Sequence, residues 1–204
     1  MRAQNEIEVD DSGWPPDMAV RIQEQEFHLL ELLFIRSSWS LRTQSPVPRL
    51  DPVPEPGGSS RPQSRSLETW SALWDAAWAG AWAWSYATAH AHGAGVPPDD
   101  VFKVLGPPKR WSSVAGTDGL DEEAWLSWAA RLQLRHRVDE EPERQVVPAL
   151  VGAWRRGLDT VFVMPYAGYY AHQPEENTLI VSRATREDPE DYARALDGFA
   201  DRGE

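Results

Sequence analysis

Tryptophan stands at positions 70, 74, 78 and 82, every fourth residue, and no other feature restricts the fold of this chain so strongly. At about 100° per residue on a helix, such a series drifts by roughly 40° per step and stays within one broad stripe. Each indole removes roughly 150–250 Å² from water when it is buried. A helix carrying four of them therefore lies at the centre of a core or faces a partner. The stripe predicts a helix over 67–92, with Leu73, Ala77, Ala81 and Trp84 on its flank. The opposite face carries Ala72, Asp75, Ala76, Ala79 and Ala83, small enough for a second helix to approach closely.

The rest of the chain falls in place around that helix. Pro15-Pro16-Asp17 suits a helix start, and Met18, Ile22, Leu29 and Leu33 recur at helical spacing, which predicts a helix over 16–35. Its second half, 27–35, is apolar almost all round, so it must dock on the rest of the chain or on a second copy. Residues 36–66 hold six of the seventeen prolines, together with Gly57-Gly58-Ser59-Ser60, and read as an extended, polyproline-like linker. Short helices are expected over 98–105 and 121–135. Another is expected over 142–156, broken or started late by Pro148.

Only near the C-terminus does the apolar period change. Residues 160–164 and 178–182 are continuous β-rich runs, read as two buried strands, with 165–177 as a loop between them. Asp188-Pro189-Glu190-Asp191 then has the form of a helix start, with Asp188 as N-cap and Pro189 in the first turn. The fold class expected is α+β and helix-dominated: a Trp-rich helical core, a small two-stranded β element and a C-terminal helix. The organisation expected is an acidic N-terminal segment and helix over 1–35, a linker over 36–66 and a main domain over 67–204.

Charge bounds the function. Thirty-two acids against twenty bases give a net charge of −12, which disfavours direct contact with a phosphate backbone. With no cysteine, disulfides, thiolate zinc sites and thiol catalysis are excluded. The N-terminus has neither a basic stretch nor an apolar stretch of the kind that marks a signal peptide. Residues 76–98 carry no formal charge but are mostly alanine, with tryptophans along the run rather than at its ends, and we do not read them as a membrane span. A cytoplasmic setting is expected. Eighteen of the twenty bases are arginine, and Ala, Gly and Pro are abundant, which suggests a GC-rich bacterial source.

Catalytic motifs are scarce. His90 and His92 stand at i and i+2, a chelating pair on a strand but about 200° apart on a helix. Glu24, His28 and Glu31 share the helix face expected there, without matching carboxylates from other helices to complete a metal site. Lys109 and Arg110 read as solvated bases. No metal site and no cofactor is expected.

The segment 165–173 is the exception. It gathers Tyr166, Tyr169 and Tyr170 with His172 and a glycine, and Arg183 follows the second strand. Amphipathic rings on a strand-anchored loop suit recognition, and Tyr or His can also serve acid–base chemistry. The expectation is therefore a non-enzymatic acidic interaction protein, an adaptor or a stoichiometric neutraliser of a basic partner, such as an immunity protein or antitoxin. Homodimer formation through the N-terminal helix is a further expectation. The alternative is a small enzyme or ligand-binding domain that uses the 166–172 loop.

Overall fold

The computed structural model describes residues 13–24, 26–93, 106, 108, 110–134 and 142–200. The short helix expected over 98–105, together with Lys109, lies outside them. The chain is α+β and helix-dominated, and it divides into two compact units. One is discontinuous, Met1–Glu24 with Val138–Glu204; the other is Gln25–Arg137, inserted in its sequence. This division cuts across the one expected from composition.

The discontinuous α/β unit is built on a four-stranded sheet in the order β1-β2-β4-β3, where β1 is Arg21–Gln23, β2 Thr160–Met164, β3 Ala171–Glu175 and β4 Thr178–Ser182. β1, β2 and β4 run parallel, and β3 is antiparallel to β4. Two expected strands, β2 and β4, are therefore joined by two that the sequence did not announce. The helix expected over 16–35 begins only at Phe27, and Arg21–Gln23 pairs with Thr160–Phe162 instead. The spacing of Met18 and Ile22 fits a helix, but both side chains pack on the core of the α/β unit, where β2 supplies the backbone pairing. The stretch expected as a loop contains β3, an edge strand on which Pro174 is tolerated.

Parallel strands need a crossover, and β1 reaches β2 through the whole inserted unit followed by two helices, α5 (Pro142–Gln145) and α6 (Val147–Arg155). The break at Val146 bears out the reading of Pro148, which lies in the first turn of α6. Two helices follow β4: α7 (Arg183–Glu187) and α8 (Pro189–Asp197). Asp188 caps α8 as expected, its carboxylate accepting from the N–H groups of Glu190 and Asp191 at 3.0 Å each. One face of the sheet, through Val161, Val163, Leu179 and Val181, closes a core with Leu150, Ala153, Tyr192, Leu196 and Phe199.

The helical unit contains α1 (Phe27–Ser38), α2 (Leu67–Gly93), α3 (Trp111–Ala115) and α4 (Glu122–Leu134). α2 matches the Trp stripe to within a residue of the expected helix. Trp70, Trp74 and Trp78 are buried, and Trp74 and Trp78 stack at 5.0 Å. α1 packs on α2, α3 and α4, and Leu29–Ile35 are buried within a single chain, while Phe27 at its start stays exposed. Phe34 meets Trp125 in a T-shaped contact at 5.7 Å and Trp128 at a tilt at 6.1 Å.

Segment 36–66 is not a free tether. Trp39, Leu41, Leu50 and Pro54 are buried. Its extended backbone makes no internal ladder, so its carbonyls are free to accept indole N–H groups. Trp70 donates to Pro62 O at 3.1 Å and Trp128 to Pro52 O at 2.8 Å. Asp75, on the small-residue face of α2, accepts from the N–H groups of Gln44 and Ser45. Ser60 N–H donates to Gly119 O, and a Cβ at Gly119 would collide with Ser60 O, so this close approach requires glycine.

Candidate functional site

The tyrosine loop is built by hydrogen bonds that begin at the end of β4. Ser182, the last residue of that strand, caps α7, its Oγ accepting from Thr185 N–H at 3.0 Å. The same hydroxyl donates to Gly168 O at 2.6 Å, and Ser182 N–H donates to Tyr170 O at 3.1 Å. Thr185 Oγ1 accepts from Tyr170 N–H at 2.8 Å. Gly168 turns the chain in the left-handed region, at φ +68°. Ser182 and Thr185 thus position the loop, and neither was among the expected site residues. The signal for them is a Ser-x-x-Thr sequence that begins at the last residue of a strand.

The five candidate residues do not converge. Tyr166 is buried and meets Tyr170 edge-on at 4.9 Å. Burial raises the Tyr170 pKa above its ordinary value, so this phenol holds its proton and is a poor base at neutral pH. Tyr169 is exposed, with the Arg194 guanidinium 3.8 Å above its ring and Asp191 paired to Arg194 at 2.8 Å. His172 is exposed on β3, and Arg183 is half-buried at the start of α7. Tyr166 is buried and Tyr170 half-buried, and of the five only Tyr169 and His172 are exposed. Tyr166→Ala should cost about 3 kcal/mol in denaturant unfolding, as for other buried aromatic truncations. Tyr169→Ala should cost about 1 kcal/mol or less, the worth of an exposed cation–π contact.

A buried ionic cluster was not anticipated. Arg186 on α7 is bidentate to Glu143 on α5, Nε to Oε1 at 2.7 Å and Nη2 to Oε2 at 2.9 Å. Its Nη1 donates to Glu24, the residue after β1. Tyr192 of α8 donates its hydroxyl to Glu143 Oε1 at 3.2 Å. Burial works against the charged guanidinium, but the carboxylates of Glu143 and Glu24 outweigh it and hold its pKa above the ordinary value. Burial, reinforced by Glu143, keeps Tyr192 protonated. The four bonds among Arg186, Glu143, Glu24 and Tyr192 tie the members of the cluster to one another.

The expected Glu24, His28 and Glu31 set is divided by the structure. Glu24 belongs to the ionic cluster. Glu31 is buried in the helical unit and accepts from Trp111 N–H at 3.1 Å. His28 Nε2 lies 3.0 Å from Ser85 Oγ and 3.2 Å from Glu26 Oε2. Serine and carboxylate meet the same ring nitrogen, so the carboxylate does not orient the imidazole from its far side as a hydrolytic triad requires. Ser85 is also fully buried.

His90 and His92 lie on a helix that continues to Gly93. Among the described residues, no group of three or more His, Asp or Glu side chains could hold a metal ion. No helix among them is long and apolar enough to cross a membrane. A cavity of about 360 Å³ lies along α2, lined by Leu73, Ala77, Gly80, Trp84, Pro108 and Val114, and the described residues of its wall carry no charge. Comparison with protein-family models, with curated proteins and with solved structures finds no match to this chain.

Proposed function

We propose that this chain is a non-enzymatic, acidic protein–protein interaction protein, an adaptor or a stoichiometric neutraliser such as an immunity protein or antitoxin. Its α/β unit meets a basic protein partner in this reading, and a cytoplasmic setting is part of it. The observation that carries it is the division of charge between the two units. The α/β unit has 20 carboxylates against 9 basic side chains, a net charge of −11. The larger helical unit has 12 against 11, a net charge of −1.

Burial sharpens the contrast. Arg186 is held inside the ionic cluster, and Arg156 donates to Phe199 O and Leu196 O at the end of α8. Meanwhile Glu175, Glu176, Glu187, Asp188, Glu190 and Asp197 are exposed. A surface of one sign speeds encounter with a partner of the other, and the gain falls with ionic strength.

The test is native mass spectrometry of the protein purified from its own host in low salt, followed by association kinetics with whatever protein is bound. A basic partner is expected. Its association rate should fall about tenfold in the Glu175→Lys/Glu176→Lys/Glu187→Lys/Glu190→Lys variant and stay unchanged in Glu122→Lys/Glu123→Lys of the helical unit. Association insensitive to salt, or a bare chain carrying only a small ligand, would overturn the reading.

A further inference from the structure

The α/β unit is interrupted by 113 residues, and one side chain grips it on both sides of the interruption. Glu24 is the last residue of the first piece. Glu143 lies on α5, the first helix of the unit after the chain returns. Both carboxylates close on the Arg186 guanidinium, with relative side-chain exposures of 18% for Glu24, 12% for Glu143 and 8% for Arg186. Ions withdrawn from water to this degree hold only when their partners are in place.

We infer that Arg186 is a staple that fastens the N-terminal piece of the α/β unit to its C-terminal piece, so that the two act as one cooperative body despite the insertion. β1 needs such a fastening. It is three residues long and sits at a sheet edge, and its pairing with β2 closes a loop of well over a hundred residues. Loop closure of that length carries an entropic cost that three ladder positions offset poorly. The packing of Trp14, Met18, Val20 and Ile22 on the core adds apolar contact, and the staple adds a directional lock at the carboxyl end of the strand. Through it, a segment with six carboxylates against two arginines is joined to one with fourteen against seven. The staple does not require the unit to bind a basic partner.

Native-state hydrogen exchange on the full chain tests it. In wild type the amides of β1 should exchange with the same opening free energy as those of β2 and β4. Glu24→Gln removes one arm of the staple and leaves the Arg186–Glu143–Tyr192 contacts, so this variant keeps its fold. Its β1 amides should exchange about tenfold faster, with β2, β4 and α2 unchanged. Arg186→Leu should accelerate β1 and α5 by about a hundredfold or more, again without touching α2. Unaltered β1 protection in Glu24→Gln overturns the staple even if Arg186→Leu does not fold. So does a loss at α2 as large as the loss at β1. Success here with no basic partner in the mass spectrum would discard the binding reading and keep the staple.

Discussion

Replacing Trp74 with alanine should destabilise the helical unit by about 4 kcal/mol, the largest effect expected of any single truncation in it. The side chain has no exposed surface, stacks on Trp78 at 5.0 Å and donates its Nε1–H to Leu32 O at 2.6 Å. Truncation therefore opens a cavity the size of an indole between α1 and α2 and removes the second donor of a buried carbonyl, which keeps only its helical bond. Trp84, half-buried on the same helix, is the control and should cost well under half as much. Denaturant unfolding followed by the far-ultraviolet helical signal measures both. Equal losses at Trp74 and Trp84 would mean that the stripe is not the centre of this core.

Acidification should weaken the same unit, and His28 should account for most of the effect. Burial lowers its pKa to about 4, against an ordinary value near 6.5. The unfolded chain therefore binds the proton more readily than the folded one. The neutral ring contributes fully above about pH 6.5, and that contribution drains away as the pH falls toward 4. The whole span is worth about 3 kcal/mol. Glu26 acts in the opposite sense: burial raises its pKa, partly offset by the Ser85 hydrogen bond, so it favours the folded state on the acid side. Comparison with His28→Gln, which keeps a polar partner for Ser85 but cannot titrate, separates the two. The difference in stability between wild type and variant should shrink steadily from pH 7 to pH 4. A constant difference across that range would show that His28 is not held neutral by its surroundings.

How far the sequence reached depended on whether an element is specified locally. α2 was legible because four indoles at one period leave no other solution, and α8 because Asp188-Pro189-Glu190-Asp191 fixes a helix start from four adjacent residues. β2 and β4 were legible as apolar runs buried on both faces. β1 was not: Arg21-Ile22-Gln23 has no strand pattern of its own, and its partner lies far along the chain. Segment 36–66 misled for a related reason. Its prolines do forbid helix and ladder, but the indoles of Trp70 and Trp128 need acceptors, and an extended backbone with idle carbonyls supplies them. The tyrosine loop was identified as a unit, yet which rings turn inward depends on Ser182 and Thr185. The ionic cluster was invisible because Glu24, Glu143 and Arg186 meet only once the sheet has formed.

The partition into units also separates the chromophores. Nine of the eleven tryptophans belong to the helical unit, and only Trp14 and Trp154 to the α/β unit. Four of the five tyrosines, all but Tyr86, lie in the α/β unit. Indole emission from this protein is therefore chiefly a gauge of one unit, and phenol absorbance of the other. An unfolding curve recorded at a single wavelength describes half the molecule, while the two signals together resolve whether the halves melt as one.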